Sequence, residues 1–243
     1  MGDPKELLRA NLRQRAELGE TEIFLDALSA ADVRDLAART PLERRAEAPA
    51  HGVPGNDIVQ IGSLAVLREV ALGCPRCRLA ESRQHVVFGE GSPQAELVVV
   101  GEAPGADEDR TGRPFVGRAG KLLDLLLAAA GYARADVYVC NVLKCRPPGN
   151  RDPRPEEVEA CSPYLLRQVE LIRPRAILAV GTFPAQTLLH SKESIGRMRG
   201  RVHDYHGVPL VPTYHPAALL RNPAWTRSAW EDLQRLRTLI DPT

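Results

Sequence analysis

The chain has 243 residues, 44% of them hydrophobic, with five cysteines and a formal charge of +1. That length suits one large domain or a domain with an appendage, and the apolar share is enough for a sizeable core. No apolar run approaches the roughly 18 residues a membrane span needs, and MGDPKELLRANLRQRAELGE has no apolar signal core. A cytoplasmic protein without a membrane partner is therefore expected, in a compartment where structural disulfides are rare.

The charge is unevenly spread. Residues 1–60 hold eight Lys/Arg against eleven Asp/Glu. Between Lys192 and Arg227 six basic residues face only Glu193 and Asp204, a local strip suited to phosphate.

In chain order, 4–39 reads as two charged helices, and TPLERRAEAPAHGVPGN as a Pro/Gly/Ala-rich linker. This sets residues 1–56 apart as a helical N-terminal extension, with the main domain at 57–243. Residues 61–72 look helical and lead into CPRC. LVVVG (97–101) is a buried strand, and RAGKLLDLLLAAAG (118–131) a helix closed by Gly131. VYVCNV (137–142) is a second strand, followed by a helix over 155–172 with Pro155 at its start and Pro163 inside. AILAVG (176–181) is a third strand and 183–189 a short helix. VPLVPTYHP (208–216) contains a fourth strand, and 227–240 is a closing helix. Strand–helix alternation of this kind implies an α/β fold, a parallel sheet with helices on both faces.

In open parallel sheets ligands sit beyond the carboxyl ends of the strands. Glu102 follows the first strand, Asn141 closes the second and His215 follows the fourth. Asn offers an acceptor and a donor, matching an amide or imide edge. His can donate to an oxygen on which charge develops, and Glu can hold a water or favour a cation. Pro104 and Gly105 stiffen the first loop, and Phe115, between Gly112 and Gly117, is a candidate stacking surface for a planar ring.

Cys74 and Cys77 form C-x2-C, while Cys145 and Cys161 are far along the chain. Cys140 lies in an apolar strand, as an inert buried thiol would. Four remaining thiols suit a [4Fe–4S] cluster or a structural zinc. One close pair with two scattered partners favours the cluster, and spacing leaves zinc or unligated thiols as alternatives.

Three stretches, CPRCRLAESRQHVVFGEGSPQAELVVVGEAPGADEDRTGRPFVGRAGKLLD, NVLKCRPPGNRDPRPEEVEACSPYL and PTYHPAALLRNP, resemble in order the family 4, iron–sulfur uracil-DNA glycosylases. The resemblance runs from about residue 60 to 240. It implies a three-layer αβα sandwich around a four-stranded parallel sheet, and a [4Fe–4S] cluster on Cys74, Cys77, Cys145 and Cys161. It implies that Gly101, Glu102 and Ala103 line the uracil pocket, that Phe115 stacks on the base, that Asn141 reads the pyrimidine edge and that His215 sits at a uracil carbonyl. Leu219 or Leu220, with Arg221 and Asn222, would enter the space an extruded base leaves in DNA.

The implied activity is a DNA repair glycosylase, a monofunctional N-glycosyl hydrolase. It flips uracil from single- or double-stranded DNA and leaves an abasic site for base excision repair. Such a chain would act as a nucleoid-associated monomer. Where other uracil glycosylase families carry Asp or Asn before the first-motif proline to position water, this chain has Ala103. Glu102 is the first choice for that role, with Glu108 and Asn150 as auxiliaries. The loop ADEDRTGRPF lacks the basic, histidine-containing insertion of a branch that becomes trapped on DNA, so turnover is expected. The alternative is a non-catalytic iron–sulfur protein that recognises damaged or single-stranded DNA.

Overall fold

The computed structural model describes residues 58–241. The helical reading of 1–56 falls outside them. Short helices α1 (Leu64–Leu72) and α2 (Leu79–Ser82) open the described chain. Ser63 caps α1 by accepting from the Val66 amide. There follow β1 (Glu90–Gly91), β2 (Leu97–Gly101), α3 (Ala106–Thr111), α4 (Arg118–Ala129) and β3 (Tyr138–Asn141). Then come α5 (Pro155–Ile172), β4 (Ala176–Val180), α6 (Thr182–Leu189) and α7 (Ile195–Met198). The chain closes with β5 (His203–Tyr205), β6 (Val208–Thr213), α8 (Pro216–Arg221) and α9 (Thr226–Ile240).

The sheet order is β1-β3-β2-β4-β6-β5. Its four central strands are parallel, as expected from sequence. Two short antiparallel edge strands, β1 and β5, extend it to a mixed sheet. At two and three residues they are too short to show an alternating pattern.

The buried strands are apolar on both faces, so alternate residues feed two separate cores. On one side Val98, Val100, Cys140 and Ile177 pack with Leu165, Val169 and Leu188 of α5 and α6. On the other, Val99, Val139, Leu178 and Val211 pack with Leu123 and Leu127 of α4 and Leu233 and Leu236 of α9. This gives helix, sheet and helix in three layers. Helix α5 continues through Pro163, and α1 packs on its flank through Leu67, Ala71 and Tyr164.

All four parallel strands end in the same direction. The loops after β2, β3, β4 and β6 therefore meet at one rim.

Candidate functional site

That rim encloses a cavity of about 820 Å3, within the range usual for small-molecule sites. Glu102 and Ala103 line it from the loop after β2, Asn141 from the end of β3, and Gly181 to Phe183 from the end of β4. Tyr214 and His215 follow β6. The three polar residues singled out at strand ends thus share one wall.

Asn141 is 2% exposed, and its side-chain oxygen is buried without a hydrogen-bond partner. Such an orphan costs about 1–3 kcal/mol of desolvation, and a ligand N–H in the cavity would relieve it. Backbone bonds fix the surrounding loop. The Val142 amide donates to the Gly101 carbonyl at 2.9 Å, and the Leu143 amide to the Glu102 carbonyl at 3.0 Å.

Behind Asn141 lies a residue the sequence did not single out. Lys144 is 2% exposed. Its ammonium donates to the Asn141 carbonyl at 2.7 Å and to the Gln168 side-chain oxygen at 2.6 Å. Gln168 donates in turn to the Phe88 carbonyl and the Tyr138 hydroxyl, both at 2.9 Å. A lysine between apolar residues and a cysteine looks like a surface residue in sequence. Only its acceptors, distant along the chain, explain its burial.

Phe115 has left-handed backbone (φ 54°) and an 8% exposed ring. A β-carbon on Gly101 would overlap the Asn141 side-chain oxygen and the Phe115 ring, and one on Gly120 would overlap the Phe115 carbonyl. Both glycines let a ring and an amide close in on the same space. Gly101 supports the wall from behind. The Phe115 ring is stacked 5.8 Å from that of His215.

His215 caps α8: the Ala217 amide donates to its Nδ1 at 3.1 Å. Accepting there leaves the imidazole proton on Nε2. Burial, and then the nearby Arg221 charge, hold its pKa down at about 4, against a small opposing pull from Glu108. His215 is therefore a neutral Nε2–H donor near pH 7. Glu102 moves the other way: burial, and next the Asp152 charge, raise its carboxyl above the ordinary range.

The other sequence candidates divide. Glu108 lines the cavity, but both its oxygens are taken by backbone. One accepts from Gly105, the other from Val116 and Gly117. It is a clasp joining two loops rather than a free base. Asn150 lines the rim with its oxygen accepting from Arg146 at 2.7 Å. On α8, Leu219 is 2% exposed and packs inward, which removes it as a wedge for DNA. Leu220 is 42% exposed, and Arg221 and Asn222 are exposed beside it. Asp152, Thr182, Gln186, Tyr214 and Trp225 also line the cavity and were not foreseen. Trp225, in the short turn after α8, carried only the weak signal of an aromatic beside that loop.

Cys74, Cys77, Cys145 and Cys161 line a second, small cavity with Arg76, Arg83 and Tyr164. All are free thiols, so no disulfide competes for them. Arg83 donates to the Cys145 sulfur at 3.3 Å and the Lys144 amide to the Cys161 sulfur at 3.2 Å. Such N–H···S bonds stabilise thiolates. Burial raises the thiols of Cys77 and Cys145, and pushes Cys161 up to about 12. Among the described residues no three His, Cys, Asp or Glu side chains gather as ligands of one ion. Four sulfurs lining one small cavity are a donor set of the type that soft metal sites use. Cys140 lies fully buried in β3, apart from this cavity. No helix among the described residues is long and apolar enough to cross a membrane.

The family model described as the uracil DNA glycosylase superfamily matches residues 88–234. A type-4 uracil-DNA glycosylase of Archaeoglobus fulgidus is 45% identical over 182 residues, covering 72% of this chain and 91% of that protein. One of Thermotoga maritima is 45% identical over 181 residues, covering 73% and 94%. One of Sulfurisphaera tokodaii is 43% identical over 186 residues, covering 73% and 84%.

Proposed function

We propose, from the premise that this chain belongs to the uracil DNA glycosylase superfamily, that it hydrolyses the N-glycosidic bond of uracil in DNA. It releases free uracil and leaves an abasic site for repair. The observation that carries the site assignment is the orphaned Asn141 oxygen, buried in the same wall as the Phe115 ring and the neutral His215 donor.

A base inside a duplex is out of reach, so uracil enters extruded, at a cost of a few kcal/mol. Phe115 takes its face. Asn141 Oδ1 accepts from the uracil N3–H, and the amide NH2 donates to the adjacent carbonyl. Cytosine has no hydrogen on N3 and an amino group in place of that carbonyl, so the same asparagine disfavours it.

As the C1′–N1 bond breaks, the sugar gains positive charge and the uracil ring negative charge. His215 donates Nε2–H to the uracil oxygen that carries it. With a pKa of about 4 it stabilises the anion without giving up the proton, and such a donor is worth about 2.7–4 kcal/mol. Glu102, ionised above its raised pKa, holds the attacking water and takes its proton as oxygen bonds to C1′. The released uracil anion is protonated by solvent. Arg221 and the exposed Leu220 face the DNA.

Cys74, Cys77, Cys145 and Cys161 fit a [4Fe–4S] cluster, whose iron–sulfur bonds would fasten the 74–83 segment to β3 and α5 when bound. We infer that the chain acts as a monomer, since Glu102, Asn141 and His215 line one cavity without a gap that a second copy would have to fill; a single species of one-chain mass in light scattering is the expected result.

Incubation with a uracil-containing oligonucleotide, followed by alkaline cleavage of abasic sites, tests the activity. Strand breaks are expected from single and double strands, with free uracil recovered. Binding without uracil release by cluster-loaded protein would favour the non-catalytic reading instead.

A further inference from the structure

The pocket rim carries an aromatic surface that the reaction does not use. Tyr214 and Trp225 are stacked, with ring centroids 4.7 Å apart and an interplanar angle of 17°. Both line the cavity that holds Asn141 and His215. Trp225 is 39% exposed, although burial of so large a ring is favourable.

The pair is also held rigidly. The Arg199 guanidinium lies over the Tyr214 ring at 5.4 Å. Arg199 is fixed by two bonds to Asp232, at 2.9 and 3.0 Å. Asp232 is fully buried and also accepts from the Thr213 hydroxyl at 2.9 Å, at the end of β6. A stack anchored through a buried carboxylate to the sheet end keeps its shape before any ligand arrives. One pyrimidine, seated between Phe115 and Asn141, fills only part of so large a cavity, and the remainder opens towards Trp225.

We propose that the Tyr214–Trp225 stack is a second subsite, a platform for the nucleobase immediately next to the extruded uracil on the same strand. It accepts any base, because every base has a π-face and stacking on a ring does not read the base edge. Arg221, exposed at the rim between His215 and Trp225, supplies a cation for the intervening phosphate. This rests on the glycosylase reading for the identity of the strand, but its test reads binding alone.

The test uses full-length protein and single strands carrying a cleavage-resistant 2′-fluoro-deoxyuridine. In two further strands an abasic spacer replaces the neighbour on one side or the other. For the wild type, one spacer strand is expected to bind more weakly by roughly 5- to 150-fold, the equivalent of about 1–3 kcal/mol per stacked base. Trp225→Ala is expected to weaken the unmodified strand by a similar factor and to bind all three strands alike. Trp225→Phe restores the difference. Equal binding of all three strands by the wild type, or an unchanged spacer effect in a folded Trp225→Ala protein, overturns the platform. Should Trp225→Ala fail to fold, the wild-type spacer comparison decides alone. Absence of uracil release from an unmodified strand would instead count against the glycosylase reading and leave the binding result standing.

Discussion

Two cavities among the described residues, the rim pocket and the sulfur-lined one, are built on opposite rules. The rim pocket is open, and Asn141 keeps a bare acceptor in it, while Glu102 and His215 are moved from their ordinary pKa values by burial and neighbours. The sulfur-lined cavity is small, and two of its thiols, Cys145 and Cys161, have N–H donors from Arg83 and Lys144. One leaves an acceptor unsatisfied for a ligand that comes and goes. The other gathers four sulfurs around one small space. Both draw on the same few residues, since Asn141 ends β3 and Lys144 and Cys145 follow directly. Lys144 touches both: its ammonium holds the Asn141 carbonyl and its amide serves Cys161.

Substitutions should separate the two regions. The largest effect is expected for His215→Ala and Asn141→Ala, each lowering kcat/KM for uracil release by about 10²–10³, the usual loss for one such donor. Absorbance near 400 nm should be unchanged in both. An equal loss of absorbance would mean that the cavities are not separable.

Cys145→Ala should do the reverse first, removing that absorbance and lowering Tm by an amount on the order of 10 °C, because cluster binding energy is also folding energy. A wild-type protein that is folded, colourless and zinc-loaded would reject the iron assignment.

Lys144→Met, similar in length but without donors, leaves the Asn141 carbonyl and Gln168 oxygen unpaired at about 1–3 kcal/mol each. It should reduce activity by about tenfold and speed loss of the 400 nm band in chelator. A change confined to one readout would break the link between the cavities.

The smallest effect concerns pH. His215 is held at about 4 when folded, against 6.5 ordinarily. Below pH 6.5 the unfolded chain therefore takes up this proton first. Its contribution to stability is full above about 6.5 and is lost as pH falls towards 4, by about 3 kcal/mol. His215→Asn should flatten that part of the curve in denaturant titrations across this range. Activity should fall on the acid side as Glu102 protonates, at a pH above the ordinary carboxylate range.

Much of the fold was legible. Runs such as LVVVG and AILAV, each ending before a glycine or polar residue, mark buried parallel strands, and their order puts Glu102, Asn141 and His215 at one rim. The edge strands β1 and β5 were not legible, because so few residues carry no period. Nor could sequence decide between Leu219 and Leu220. One lies inward and the other outward on α8, and that depends on how a six-residue helix sits on its neighbours. Glu108 read as a spare acid until its two oxygens were found on backbone amides up to nine residues away.

The amino-acid order alone settled the layered α/β plan, the strand-end trio and the set of four available thiols, because strand period, turn residues and ligand type are local properties. The folded chain decided which polar groups stay unpaired. Asn141 keeps a free oxygen, His215 a neutral ring and Lys144 a buried charge because residues from different elements, such as Gln168 beside Lys144, shut water out and supply or withhold the partner. Desolvation and hydrogen bonding depend on distance through space, and the linear sequence does not carry that distance.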